Sequence, residues 1–144
     1  MSAVVDAARG WIGTPYVHQA SAKGAGTDCL GLLRGVWREL LGAEPAALPA
    51  YTRDWGETGG EELLLAAGRT HLRQRTLDRP LSGDVLLFRM RDRAIAKHVG
   101  IQARVGPEAS FIHAYTGHGV IESPLSNAWA RRVVARFVFP MEYE

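Results

Sequence analysis

At 144 residues, with 47% hydrophobic and 22% charged residues, the chain has the makeup of an ordinary globular protein, which excludes intrinsic disorder and makes one domain over 1–144 the expectation. A net charge of +2 with scattered arginines is too weak a field to select nucleic acid as a partner. No apolar run approaches the roughly 20 residues of a bilayer span, and MSAVVDAARG lacks the basic and long apolar regions of a Sec-type signal, so neither a membrane span nor Sec export is expected.

The chain opens with Val4, Ala7, Ala8, Trp11 and Ile12 at helical spacing, which predicts a helix capped by Ser2 and stopped at Gly13. Residues 13–28 are glycine-rich and sustain neither a helical nor a strand period, so they read as a loop that delivers the chain to residue 29. Leu33, Val36, Trp37, Leu40 and Leu41 then predict a buried helix from Cys29 to Leu41, with Gly42 as its left-handed stop. An excursion rich in Pro, Ala and Gly over 43–60, holding Tyr51 and Trp55, leads to a short helix over Glu61–Leu72.

Beyond Gly83 the pattern changes to β-branched and aromatic runs between turn residues. Strands are predicted over Asp84–Met90, Lys97–Arg104, Ser110–Tyr115, Val120–Ser123 and Val133–Phe139, with connections short enough for antiparallel pairing. Helices followed by strands imply an α+β fold, an antiparallel sheet against the helix that begins at Cys29. Arg89, Arg91 and Arg93 alternate and are expected to share one solvated face.

With one cysteine there is no intramolecular disulfide and no Cys-x-x-Cys zinc site, so Cys29 is either inert filler or reactive. Composition alone favours filler, because free cysteine is among the most buried residue types. Position favours reactivity: at the first turn of a helix, partly positive amides stabilise a thiolate and lower its pKa from about 8.5. A thiol nucleophile needs a base, and His98 opens a strand whose alternation puts His98, Gly100 and Gln102 on one face, with Gly100 leaving space for a substrate. His113, on the next strand, can lie beside His98 and orient its imidazole. His18, His71 and His118 read as structural or solvated. No carboxylate or close His-x-x-x-His pair joins Cys29, His98 and His113, so no metal is expected there, and no cofactor.

Five blocks carry a resemblance: Gly13-Thr14-Pro15-Tyr16, Asp28-Cys29-Leu30-Gly31-Leu32, Gly83-Asp84-Val85-Leu86-Leu87-Phe88, His98-Val99-Gly100-Ile101 and Ile112-His113-Ala114. In that order they resemble the NlpC/P60 family of cell-wall cysteine peptidases, and the string Gly13 to Gly42 is similar to its phage-tail subgroup, which includes peptidases of gene transfer agents. The resemblance implies a papain-like fold and cleavage of the γ-D-glutamyl-diaminopimelate amide in the peptidoglycan stem peptide through a Cys29 acyl-enzyme. It further implies that Tyr16 helps hold the oxyanion and that Asp28 recognises the free amine of a trimmed stem, where the residues alone read as a packed aromatic and a helix N-terminal carboxylate. Leu30 stands where most members carry a serine that contacts the D-glutamate carboxylate, which loosens the expected substrate register. With no wall-binding module in 144 residues, targeting is expected from a partner, a tail or baseplate protein of a phage-like particle made in the cytoplasm and acting in the periplasm of the target cell. An amidase or acyltransferase on the same fold, or a catalytically vestigial adaptor, are the alternatives.

Overall fold

The computed structural model describes residues 2–45, 62–91 and 93–141. The expectations for Tyr51, Trp55 and the start of a helix at Glu61 fall outside them. Helix α1 spans Ala3–Arg9, with the Ser2 hydroxyl accepting the Val5 N–H at 3.2 Å. It ends four residues before the expected stop at Gly13. After Gly10 the chain continues through i→i−3 bonds, Trp11 N–H to Ala8 and Ile12 N–H to Arg9, a tighter turn that keeps Trp11 buried but leaves Ile12 46% exposed. The apolar rhythm therefore outlasts the helix.

The glycine-rich loop contains a minimal hairpin, β1 (Ser21–Ala22) with β2 (Gly26–Thr27). Helix α2 (Cys29–Leu41) follows with the expected bounds, and Gly42 stops it at φ 88°, ψ −135°, a positive-φ exit that is extended rather than left-handed helical. Helix α3 spans Leu63–His71, and the antiparallel sheet consists of β3 (Arg73–Arg75), β4 (Val85–Arg89), β5 (Ala96–Gln102), β6 (Ser110–Tyr115), β7 (Gly119–Pro124) and β8 (Val133–Val138). Their order across the sheet is β3-β8-β4-β5-β6-β7. Strand β3 has no apolar alternation to reveal it: its residues are Arg-Gln-Arg on an exposed edge, held by pairing with β8. Helix α4 (Asn127–Ala130) is one turn long, too short for any period to register.

Both faces of the central sheet are covered, so β4 reads as a continuous apolar run, Val-Leu-Leu-Phe, instead of an alternation. One face sends Val85, Leu87, Val99, Ile101 and Ile112 against Val4, Ala8, Leu32 and Val36 of the N-terminal helices and Trp11 of the turn after α1. The other gathers Leu86, Phe88 and Phe111 under Leu125, Trp129 and Val133. Strand β4 ends at Arg89, so Arg91 and Arg93 lie in the following turn and the expected three-arginine strand face does not form. No helix among the described residues is long and apolar enough to cross a membrane.

Candidate active site

The delivery of Cys29 begins with Asp28, the N-cap of α2. Its Oδ1 accepts the Gly31 N–H at 2.7 Å and its Oδ2 accepts the Gln19 N–H at 2.7 Å, so one carboxylate caps the helix and ties down the loop before it. His18 Nδ1 stands 3.9 Å from the same Oδ2, so this histidine has a buried carboxylate neighbour. Tyr16 pairs with Thr27 in an isolated parallel bridge, and the Thr27 N–H donates to Pro15 O at 2.9 Å, which lays the tyrosine beside the last residues before the cysteine. Gly31 makes this packing possible: a Cβ there would stand 1.9 Å from the Ala20 carbonyl oxygen. The loop therefore rests directly on the first turn of α2.

The thiol then enters a gap in the sheet. β5 and β6 pair only at Ile101↔Ile112 and Gln102↔Phe111, although the strands are seven and six residues long, so they part toward Ala96. The Ala103 N–H donates to Ser110 O just past this ladder, which means that the odd-numbered residues of β5 turn their backbone groups toward β6. Cys29 Sγ lies 3.9 Å from the Lys97 carbonyl oxygen and receives the Val99 N–H. It occupies the place of a ladder partner on either side of His98.

His98 projects to the opposite sheet face from α2. Its Nε2 is 2.8 Å from His113 Nδ1, and His113 Nε2 is 3.0 Å from Ser123 Oγ on β7. Phe88, Phe111, Tyr115 and Trp129 surround the two imidazoles, with the Trp129 ring centroid 5.8 Å from that of His98 and 5.2 Å from that of His113. Gly100 leaves no room for substrate, contrary to expectation: a Cβ there would meet Phe111 Cδ2 at 2.9 Å and His113 Cβ at 3.4 Å. That glycine admits the second imidazole instead.

Burial governs the titration of all three groups. It pushes the Cys29 thiol up to about 12, with Asp28 adding to the rise and the N–H groups of Val99, Leu30 and Cys29 opposing it. The helix-start amides expected to lower it act in that direction but lose to desolvation. Burial, then the neighbouring His113, lowers His98 to about 3, while burial, then His118, lowers His113 to about 4. All three shifts favour the uncharged form of the group.

Because the unfolded chain takes up protons near 6.5 that the native histidines refuse, their contribution to stability is present above about 6.5 and is lost as pH falls toward 4 and 3. For Cys29 the sign is reversed: stability is present below the ordinary 9.0 and is lost as pH rises toward about 12. Denaturation midpoints measured against pH are expected to fall less steeply on the acid side in His98→Gln than in wild type, and iodoacetamide labelling of Cys29 to climb through the alkaline range without levelling below pH 8.5. Identical acid slopes, or labelling that saturates near neutrality, would contradict this charge state.

Ser123 and Trp129 also take part in the cluster, and neither carries a signal of it in the sequence: Ser123 ends the predicted strand Val120–Ser123, and Trp129 lies on the one-turn helix α4. His118, in the β6–β7 turn, stacks on Tyr115 with centroids 5.5 Å apart, and His71 ends α3 at an apolar hollow lined by Leu33, Trp37, Leu64 and Phe137 that holds none of Cys29, His98 and His113. Among the described residues no three His, Cys, Asp or Glu side chains are grouped to hold a metal ion.

Among curated proteins no relative of the chain is found. Solved structures do share its fold. The NlpC/P60 domain of the peptidoglycan hydrolase SagA is 22% identical, with a TM-score of 0.62 over 95% of this chain and 97% of that one. A Staphylococcus aureus protein similar to lipoproteins of the NLP/P60 family is 19% identical with a TM-score of 0.62, covering 97% of this chain. A Bacillus cereus NlpC/P60 family protein is 18% identical with a TM-score of 0.61, covering 94%. The chain spans 41% of the staphylococcal protein and 39% of the Bacillus one. The profile of the NlpC/P60 family matches residues 13–138, a span that begins at the loop leading to Cys29 and takes in both buried histidines, and on that match the chain belongs to the NlpC/P60 family.

Proposed function

We propose that this protein is a cysteine endopeptidase that cuts an amide bond in the stem peptide of peptidoglycan, with Cys29 as nucleophile, His98 as its base and His113 as the group that orients His98. The observation that carries the reading is the position of the Cys29 thiol, against the Lys97 carbonyl and the Val99 N–H that flank His98, with the far nitrogen of His98 held by His113 at 2.8 Å. With Nε2 engaged, Nδ1 is the His98 nitrogen left to take the thiol proton.

Since thiol and imidazole are both neutral at rest, the proton moves to His98 as the sulfur–carbon bond forms. The tetrahedral oxyanion is held by the Cys29 N–H at the helix start, with the Tyr16 hydroxyl as second donor. Collapse of that intermediate passes the His98 proton to the leaving amine and yields a thioester. Water deprotonated by His98 then releases the carboxylate and frees the thiol. The two backbone N–H groups already accepted by Asp28 support a role in placing Cys29 over one in binding the substrate amine.

The bond we favour is γ-D-glutamyl-diaminopimelate, and the setting a phage-like tail whose tail or baseplate proteins bring the enzyme to the wall. Incubation with defined muropeptides followed by mass spectrometry tests the reading. Products split at that amide are expected. Cleavage at the sugar–peptide amide would make the protein an amidase, and no cleavage of any muropeptide would favour the adaptor alternative.

A further inference from the structure

We infer that Ser123 is a positioning residue, the terminal hydrogen-bond acceptor of a relay that sets the tautomer of His98 through His113; the inference rests on His98 being the base of the proposed reaction.

The relay runs His98 Nε2 to His113 Nδ1 at 2.8 Å and His113 Nε2 to Ser123 Oγ at 3.0 Å. A neutral imidazole carries one proton, so each bond constrains the next. For His98 to accept the thiol proton at Nδ1, its own proton must sit on Nε2 and point at His113 Nδ1. That nitrogen must then be the acceptor, which puts the His113 proton on Nε2, pointing at Ser123. Only an acceptor at residue 123 satisfies this ordering, and a hydroxyl oxygen is one.

The reverse ordering has the Ser123 hydroxyl donating to His113 Nε2, His113 Nδ1–H donating to His98 Nε2, and the His98 proton on Nδ1, where the ring cannot act as base toward Cys29. Loss of the hydroxyl biases the pair toward this idle ordering. His113 is only 1% exposed, so without Ser123 the productive ordering leaves a buried N–H with no acceptor. The idle one leaves only a lone pair unfilled, which costs less. Phe111, Tyr115 and Trp129 pack around His113 and offer its ring no hydrogen-bond acceptor in place of the hydroxyl.

The register shows why the serine reaches. His113 pairs directly with Ile121 and Phe111 with Ser123, so Ser123 stands diagonally from His113 on the same face of the antiparallel pair. The groups facing His113 are His98 from β5, Tyr115 from its own strand, His118 from the turn, Ser123 from β7 and Trp129 from α4. Glu122, the next residue, is bound to Arg9 and to the Ser110 hydroxyl.

Nitrogen-15 NMR of the histidine rings at pH 7, which needs no substrate, tests the relay. Wild type is expected to show both His98 and His113 protonated on Nε2, and Ser123→Ala to move a measurable fraction of each proton to Nδ1. In muropeptide turnover Ser123→Ala is expected to lower kcat roughly ten- to a hundredfold at unchanged KM, with Ser123→Thr restoring most of it. Wild-type His113 protonated on Nδ1, or a Ser123→Ala protein with wild-type ring shifts and kcat, would overturn the relay. A protein with the expected ring shifts but no turnover in any form would leave the relay standing and remove the peptidase reading instead.

Discussion

Cys29→Ala is expected to abolish muropeptide cleavage, with kcat/KM falling by about 10³- to 10⁶-fold, while the protein stays folded. The loss is large because Cys29 is the nucleophile of the proposed reaction and the chain has no second cysteine to replace it; its thiol lies against the Lys97 carbonyl oxygen, next to His98 in the chain. The fold is expected to tolerate the change, since only one sulfur is removed and alanine is at ease in the first turn of a helix. A midpoint of thermal unfolding within a few degrees of wild type checks that part. His98→Ala is expected to cost nearly as much activity, and the double variant no more than either alone, because nucleophile and base act as one unit. Retention of a tenth or more of wild-type turnover in Cys29→Ala would rule out the acyl-enzyme mechanism. Losses in the two single variants that multiply in the double would show that Cys29 and His98 work independently.

Asp84→Ala is expected to destabilise the protein by about 3–5 kcal/mol, which for a protein of this size lowers the melting temperature by roughly 10–20 °C. Asp84 is 2% exposed just before β4, and its carboxylate gathers three partners: Arg136 Nη1 at 2.9 Å, the Leu81 N–H at 3.0 Å and Arg75 Nη1 at 3.3 Å. Arg136 is itself buried, also donates to Gln102 Oε1 at 2.5 Å, and its Nε has no partner among the described residues. Removing the carboxylate strands a guanidinium inside the sheet between β4, β5 and β8. Most of the cost is that uncompensated charge, not the lost attraction. The double variant Asp84→Ala/Arg136→Met is therefore expected to recover a substantial part of the loss, as chemical denaturation of both can measure. If the double is less stable than the single, or the single lies within 1 kcal/mol of wild type, the buried charge does not set the cost.

These two sites differ in how far the sequence alone reveals them. Cys29 before a helix, with His98 and His113 on successive strands, was legible because each sits at a point where the local pattern changes and because strand order makes the histidines neighbours. The bounds of α2 were legible for the same kind of reason: an aspartate cap, an apolar stripe of period 3.6 and a glycine exit are local signals. The Asp84–Arg136–Gln102 network was not legible, since its members are far apart in the chain and meet only through the pairing of β4 with both β5 and β8. Ser123 was hidden likewise, because its reach to His113 depends on the β6–β7 register. Trp129 sits on a helix of one turn, and β3 carries no apolar residue at all, so neither produces a period.

The thiol shows the boundary most sharply. By itself the sequence determined that Cys29 begins a helix, that an acidic cap precedes it, and that a papain-like α+β frame of the NlpC/P60 family surrounds it, all through local pattern and motif order. Only the tertiary structure decided the environment of the sulfur: the parting of β5 from β6 that admits it, the backbone groups on either side of His98 that it meets, and the burial that raises its pKa to about 12 against the pull of the helix-start amides. Helix-end electrostatics act over one turn and are written into neighbouring residues, whereas desolvation sums over everything packed nearby, and that sum exists only once the chain is folded.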